Sequence, residues 1–286
     1  MDKPAGLTSH AAVQRVRRAL RTRQAGHTGT LDPFATGLLI VLVGRATRLA
    51  RFVEGERKTY LATARLGVRT DTDDLTGAVL EEAPLQGLSE EQVRAALARF
   101  AGESRQRPPV YSAKHVGGER SHRLARRGAA VEPPETSITV HRIEPVAWEP
   151  PSLTFRATVS AGTYLRAIAR DLGARLGVGA HLTALRREAI GDLRVEDAVP
   201  LDEVGPEALL APTCVLRHLP AVELDAAARL AVVHGRPVAA AIDGPAEGDV
   251  PEQGGGPVVL LSGAELVAVA RPVEGWLRPT VVLARP

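Results

Sequence analysis

Residues 26–37 read Gly26-His27-Thr28-Gly29-Thr30-Leu31-Asp32-Pro33-Phe34-Ala35-Thr36-Gly37, and this stretch decides how the rest of the chain is interpreted. Its three glycines permit a tightly folded loop with a close backbone approach to a ligand. Pro33 fixes its own φ angle and restrains Asp32, so the carboxylate lies on a stiff segment. Taken alone, Asp-Pro is more typical of an ordinary turn, and an isolated His27 is more typical of a structural histidine. The loop therefore indicates a site only if other parts of the sequence support it.

Five further blocks accompany this loop along the chain. They are DKPAGLTSH (2–10), KTYLATARLGVRTDTDDLTG (58–77), RPPVYSAKHVGGER (107–120), GTYLRAIARDLG (162–173) and GAHLTALRREAIG (179–191). Together with GHTGTLDPFATG they resemble, in the same order, the motifs of the TruB family, the tRNA pseudouridine-55 synthases. A twelve-residue match at one site with five ordered blocks is far more specific than a lone short motif. The resemblance covers nearly the whole chain.

The resemblance implies a role for each matching position. Asp32 aligns with the catalytic aspartate of the family, Arg166 with the arginine that pairs with it, and Tyr60 with a tyrosine that stacks on the target base. Further positions are expected to bind substrate. His27 aligns with a residue that helps hold the T-loop with its target nucleotide flipped out, Lys3 and Tyr164 border the site, and Leu185 packs near the flipped base. The others lie in the 107–127 segment and are Lys114, Arg120, Arg123 and Arg126.

Elementary chemistry agrees with these residue types. An ionised carboxylate can act as a nucleophile or in proton transfer, but desolvation in a partly dry pocket raises its pKa. An adjacent guanidinium, which stays protonated, opposes that rise. Flipping a base out of an RNA fold costs a few kcal/mol, and stacking of that base on an aromatic ring offsets roughly 1–3 kcal/mol of this cost.

The resemblance also implies the fold. We expect an α/β (α+β) chain with the pseudouridine synthase fold, in which a mixed, largely antiparallel sheet is flanked by helices. The expected domains are a catalytic domain over 1–220, with an RNA-binding insertion over about 103–136, and a small C-terminal domain over 221–286. The latter resembles a shortened PUA domain, a β-barrel-like module, best in LVAVARPVEGWLRPTVVL (266–283).

Local patterns predict the individual elements. Apolar residues alternate over 153–159 as in a half-buried strand, and Ser89 should open a helix to about Phe100. The apolar run 38–43 predicts one buried strand, and further helices are expected over about 10–22, 120–127 and 163–176. Helical patterns fade after about residue 221, where 258–261, 266–270 and 277–284 predict short strands and 243–256 predicts a flexible loop.

Charge is segregated along the chain, although the net charge is only +3. Residues 1–60 hold 11 basic and 4 acidic side chains (+7), residues 103–127 hold 7 and 2 (+5), and residues 197–274 hold 4 and 12 (−8). Arginine, which far outnumbers lysine here, grips phosphate with two bonds and stacks on bases. A polyanion, and tRNA through its T-arm stem-loop in particular, is therefore the expected partner.

No cofactor and no metal are expected. The sequence has no GxxxxGK or GxGxxG loop and no Cys/His cluster with zinc spacing, and the rearrangement is redox-neutral. No apolar run of 18 residues predicts a membrane helix, and the opening MDKPAGLTSH lacks the pattern of a secretory signal. With a single cysteine, Cys214, these features favour a cytoplasmic protein. We further expect a monomer that uses no guide RNA.

Two alternatives stay open at this point. The same chemistry could act on another RNA, such as a ribosomal or a guide-directed site, although the long insertion favours unguided recognition of tRNA. The fold could also serve only to bind and remodel tRNA. The order of bond changes is open as well, since Asp32 could attack C1′ of the ribose or promote loss of a proton from C2′.

Overall fold

The computed structural model describes residues 1–112, 114–127, 131–239 and 255–285. The α-helices are α1 (Ser9–Ala19), α2 (Ala50–Val53), α3 (Glu90–Ala98), α4 (Ser121–Arg126), α5 (Leu165–Leu176) and α6 (Ala226–Val233). The strands are β1 (Asp2–Lys3), β2 (Ala25–His27), β3 (Thr36–Leu38), β4 (Val41–Val43), β5 (Lys58–Leu66), β6 (Val68–Thr70), β7 (Val79–Glu82), β8 (Gly102–Gln106), β9 (His115–Val116), β10 (Glu119–Arg120), β11 (Thr136–Glu149), β12 (Ser152–Val159), β13 (Ala180–Ile190), β14 (Leu193–Arg194), β15 (Ala221–Glu223), β16 (Val238–Ala239), β17 (Val258–Ser262), β18 (Glu265–Val273) and β19 (Trp276–Val282). Short 3₁₀ turns lie at Gly44–Leu49, Val195–Asp197, Leu201–Glu203, Pro206–Ala208 and Pro212–Val215.

The main sheet is mixed and largely antiparallel, which confirms the predicted fold class. Its strand order is β1-β3-β13-β5-β12-β11-β8, with β14 added to β13. Among the strand pairs described for this sheet, only β3 and β13 run parallel. The alternation predicted over 153–159 is confirmed, because Leu153, Phe155, Ala157 and Val159 all point into the core. One face of the sheet is thus apolar and must be covered.

Helices α3 and α5 cover that face. Val93 and Leu97 of α3 and Ile168 and Leu172 of α5 are buried in the same core cluster as the inward residues of β12. Helix α3 begins as predicted, because the Ser89 hydroxyl accepts from the backbone of Gln92 while the Gln92 side chain accepts from the backbone of Ser89. Helix α5 begins at Leu165 and ends where Gly177 adopts a φ of 72°.

The apolar run 38–43 is not one strand, so that prediction is wrong. β3 pairs with β1 and β13, whereas β4 pairs with β2 in a separate two-stranded sheet. The residues between them, Leu39 and Ile40, are buried without belonging to either strand. Continuous apolar character here reflects burial, which a strand and a buried connection share.

The predicted insertion over about 103–136 begins later than the sequence suggested. β8 (Gly102–Gln106) pairs with β11 and forms an edge of the main sheet, in the register Gln106↔Thr136. The segment 107–127 then leaves the sheet and carries the β9–β10 hairpin and α4. Strands β8 and β11 were missed because their charged and polar residues hide the alternation that marks a half-buried strand.

The chain divides into two compact units. The first holds Met1–Ala12, Thr30–Leu39 and Gly55–Leu201, and so contains the main sheet. The second holds Val13–Gly29, Ile40–Glu54 and Asp202–Pro286. Within the second unit, Arg45 donates to the carbonyl of Leu283 at 2.9 Å and Arg48 to that of Val282 at 2.7 Å. The functional boundary between residues 220 and 221 stays a prediction.

The C-terminal part of the second unit is a small sheet of order β15-β17-β18-β19-β16, which agrees with the expected PUA-like architecture. The turns between these strands lie at Gly263 and Gly275, both with positive φ. Helix α6, capped by the Asp225 carboxylate, contradicts the expectation that helices end before residue 221. Its sequence, AAARLAVV, lacks a clear polar face, which removes the usual signal of an amphipathic helix. Of the loop predicted over 243–256, residues 243–254 lie outside the described residues.

Within the ranges that the structure describes, no helix is both long and apolar enough to cross a bilayer.

Candidate active site

The loop that carries Asp32 is held by backbone and side-chain bonds on both sides. The Ser9 hydroxyl accepts from the N–H of Leu31 at 2.8 Å and donates to the carbonyl of the same residue at 3.1 Å. The carbonyl of Pro33 accepts from the N–H of Gly6 at 2.8 Å, and the N–H of Ala35 closes a turn on the carbonyl of Asp32 at 3.1 Å. Asp32 therefore stands on a fixed turn at the edge of the main core.

Arg166 faces this carboxylate and pairs with it through two bonds. Its Nε lies 2.9 Å from Oδ2 of Asp32 and its Nη2 lies 3.0 Å from Oδ1. The arginine side chain is only 4% exposed, whereas the Asp32 side chain is 29% exposed. Helix α5, which was expected over about 163–176 and begins at Leu165, places Arg166 in its first turn. The arrangement is a buried guanidinium holding a carboxylate that solvent or a ligand can still reach.

The same guanidinium also contacts two further segments of the chain. Nη1 donates to the carbonyl of Thr72 at 2.9 Å and lies 3.5 Å from Oδ2 of Asp74, and Nη2 donates to the carbonyl of Tyr111 at 3.0 Å. Asp74 is buried, and its Oδ1 accepts from Thr76 N–H at 2.9 Å and from two threonine hydroxyls. Arg166 is thus the meeting point of the Asp32 loop, the 70–77 turn and the segment after β8.

Burial and charge oppose each other at the carboxylate. Desolvation raises the pKa of Asp32 above its ordinary value, the Arg166 guanidinium lowers it and the Asp74 carboxylate raises it again, with a net rise. Burial lowers the pKa of Lys3 to about 8, although the charge of Asp32 acts in the opposite sense. The Lys3 ammonium donates to the carbonyls of Pro4 at 2.7 Å and Leu7 at 2.8 Å. Lys3 therefore supports the backbone beside the site from a fully buried position.

Tyr60, Leu185 and Tyr164 complete the surroundings of the loop. Tyr60 on β5 and Leu185 on β13 are buried in the core cluster that also contains Leu31, the residue before Asp32. The hydroxyl of Tyr164 bonds to Ser112, and burial raises its pKa, with smaller contributions from Arg166 and Asp32. The phenol of Tyr164 thus lies close enough to Asp32 for the two groups to interact, whereas Tyr60 and Leu185 are placed only in the core that Leu31 joins.

The remaining predicted positions are His27, Lys114, Arg120, Arg123 and Arg126. His27 lies on β2, in the second unit, and its contact with the substrate stays a prediction. Arg120 and Arg123 are exposed and Lys114 is half-buried in the 107–127 segment. Arg126 belongs to α4, but its side chain lies outside the described residues. An exposed basic segment fits contact with phosphate.

Sequence reasoning did not assign Asp74, Tyr111, Ser112 or Gln106 to the site. Asp74 stands in a run of threonines and aspartates, a composition that forms side-chain-bonded turns and is the one signal that could have indicated it. Tyr111 contributes a carbonyl, which no sequence pattern reveals. Gln106 bonds to the backbone of Tyr164, a long-range contact that likewise leaves no local signature.

Comparison with known proteins gives consistent matches. The family model described as "TruB family pseudouridylate synthase (N terminal domain)" matches residues 17–165, and the one described as "tRNA pseudouridylate synthase B C-terminal domain" matches residues 166–219. Relatives named "tRNA pseudouridine synthase B" include those of Synechococcus sp. (strain WH7803), 42% identical over 99% of this chain and 95% of that protein, and Thermobifida fusca (strain YX), 42% identical over 99% and 97%. That of Burkholderia mallei (strain NCTC 10247) is 43% identical over 98% and 94%.

Solved structures share the architecture. A chain in "Structure of H/ACA RNP bound to a substrate RNA containing 2'-deoxyuridine" is 25% identical with a TM-score of 0.73, covering 98% of this chain and 83% of that one. A chain in "Crystal Structure of a Cbf5-Nop10-Gar1 Complex" is 28% identical with a TM-score of 0.68, covering 94% and 76%. The fold is the pseudouridine synthase fold. The chain belongs to the TruB family of pseudouridylate synthases.

Proposed function

We propose that this protein is a tRNA pseudouridine synthase that isomerises the uridine at position 55, in the T-loop, with Asp32 as its catalytic carboxylate. The family membership and the full-length relatives named tRNA pseudouridine synthase B support the activity on tRNA. The observation that supports Asp32 is its paired yet accessible carboxylate, held by two bonds from the buried Arg166.

The reaction breaks the N1–C1′ bond of uridine, turns the base and forms a C5–C1′ bond, while C5 loses its proton and N1 gains one. Asp32 acts on the ribose, either by adding to C1′ or by taking the proton from C2′. Both routes need the ionised carboxylate, which the guanidinium of Arg166 favours against the effect of burial. Tyr60 and Leu185, which are buried in the core that also contains Leu31, are assigned to the flipped base, and stacking on Tyr60 offsets part of the cost of flipping.

Binding of the T-arm is assigned to the basic segment together with His27. Arg120 and Arg123 are exposed and positioned for phosphate contacts, and Lys114 precedes the β9–β10 hairpin in the same segment. We assign the C-terminal module, residues 221–286, to a supporting contact with the tRNA. We further propose that the protein acts in the cytoplasm as a monomer and without a guide RNA.

The test is tritium release from a T-arm hairpin that carries tritium at C5 of the target uridine. The protein alone should release tritium, and Asp32→Asn should abolish release while leaving hairpin affinity within about threefold. Normal release by the Asp32→Asn variant would contradict the assignment of Asp32.

Guide-directed modification is the second candidate, because a matched solved structure is described as an H/ACA RNP bound to a substrate RNA. The same assay separates the two, since a guide-dependent enzyme would leave an isolated hairpin unconverted until a complementary RNA is added.

A further inference from the structure

The side-chain amide of Gln106 forms two hydrogen bonds with the backbone of Tyr164, the residue before α5. Gln106 is the last residue of β8 and is 3% exposed. Its Nε2 donates to the carbonyl of Tyr164 at 3.1 Å, and its Oε1 accepts from the N–H of Tyr164 at 2.9 Å. A primary amide offers one donor and one acceptor side by side, so it pairs with both backbone groups of one residue as a neighbouring strand would.

Tyr164 is the residue from which α5 starts. It occupies the N-cap position with an extended backbone, and no side chain among the described residues caps the helix there. Its carbonyl accepts the first helical bond, from the N–H of Ile168 at 3.2 Å. The bonds from Gln106 therefore fix where the helix begins, and without them the partly buried N–H of Tyr164 would lose this partner.

Arg166 follows two residues after this anchor, and its bidentate contact with Asp32 depends on where the first turn of α5 lies. The chain that leaves Gln106 also returns to the same helix, because the carbonyl of Arg107 accepts from Arg170 at 2.9 Å and that of Tyr111 accepts from Arg166 at 3.0 Å. The Gln106 amide thus aligns both the helix and the segment whose carbonyl holds the guanidinium.

We propose that Gln106 is a positioning residue whose side-chain amide sets the start of α5 and thereby aligns the Arg166 guanidinium with Asp32. The proposal deepens the proposed function and rests on it, since the carboxylate so aligned is the one assigned to the reaction. Gln106 acts through the Tyr164 backbone.

The test compares Gln106→Met, which keeps the length of the side chain but offers no comparable donor or acceptor, with Gln92→Met as a matched control. Gln92 also bonds to a backbone group at a helix start, but α3 carries none of the residues placed at the site. We expect Gln106→Met to lower kcat about 100-fold, the loss typical of a small misplacement, with KM within about threefold. Gln92→Met should leave both unchanged. A wild-type kcat in folded Gln106→Met, or an equal loss in Gln92→Met, would overturn the proposal.

A second readout does not depend on activity. The Arg166 Nε–H, which donates to Asp32, should give a slowly exchanging NMR signal that is absent from Arg166→Lys. We expect this signal to shift and to exchange rapidly in Gln106→Met. If the methionine variant does not fold, Gln106→Glu, which keeps the length of the side chain and an acceptor, replaces it with the same expected result. An unchanged, protected signal overturns the proposal. If the wild-type protein converts no hairpin uridine, the proposed function fails, and the signal alone decides the role of Gln106.

Discussion

Replacing Arg166 by lysine keeps the positive charge but removes the forked geometry. The guanidinium donates to four acceptor atoms, namely the two oxygens of Asp32 and the carbonyls of Thr72 and Tyr111, and it forms an ion pair with Oδ2 of Asp74 at 3.5 Å. A lysine ammonium has three donors on one nitrogen, so at least one of the four acceptors loses its partner.

The expected loss of stability follows from that count. An acceptor left without a partner costs about 1–3 kcal/mol, so Arg166→Lys should lower the free energy of unfolding by about 1–3 kcal/mol. The upper part of this range applies if the ion pair with the buried Asp74 is lost as well. Typical domains have about 5–15 kcal/mol in total, so the variant should remain folded at low temperature.

The assay is urea unfolding at fixed pH, with tritium release measured on the same samples. Arg186→Lys is the matched control, because Arg186 also pairs with both oxygens of an aspartate, Asp2, but its side chain is 40% exposed. The control should lose less than about 1 kcal/mol. The reasoning is refuted if both variants lose the same stability, or if Arg166→Lys retains full kcat.

Three further predictions concern pH, packing and salt. Because the role proposed for Asp32 needs the ionised carboxylate, the rate should fall as pH drops through the raised pKa of Asp32. Asp74→Asn removes a charge that raises this pKa and should move the acid limb of kcat/KM to lower pH; an upward shift contradicts this. Gly37→Ala should cost about 2–6 kcal/mol in urea unfolding, because φ is +104° and the new Cβ would lie 2.3 Å from the carbonyl oxygen of Arg187, whereas Gly26→Ala meets open space and should cost little. Equal losses of stability in Gly37→Ala and Gly26→Ala would show that the backbone moves to relieve the contact between the new Cβ and Arg187. Replacing Arg123, Arg126 and Arg127 of the basic segment by alanine should flatten the salt dependence of hairpin binding. The slope of log K against log[salt] should become less negative by about 0.7–0.9 for each phosphate that is no longer neutralised. An unchanged slope would exclude phosphate binding by these three arginines.

The sequence predicted those features whose cause is local. The alternation along β12 and the Ser89 capping box each depend on a few neighbouring residues, and the structure confirms both. The sequence did not predict helix α6, because this helix lacks a clear polar face, or the edge strand β8, because that strand is rich in charged and polar residues. In these elements, tertiary packing outweighs local pattern.

In the candidate site, too, contacts between residues far apart in the sequence could not be predicted from local pattern. Asp32 and Arg166 are 134 positions apart, and only the family resemblance connected them before the structure was known. The carbonyls of Thr72 and Tyr111 carry no side-chain signature, so their part in holding Arg166 could be found only in three dimensions.

The convergence of three distant stretches on one arginine limits how the chain can vary. A residue added or removed between β8 and Tyr111 would shift a carbonyl out of reach of the guanidinium, and the same holds at the base of the 70–77 turn. Changes in length should therefore be tolerated farther out, in the hairpin and helix after Ser112. The exposed basic segment can diversify there while the acceptors around the guanidinium of Arg166 keep their spacing.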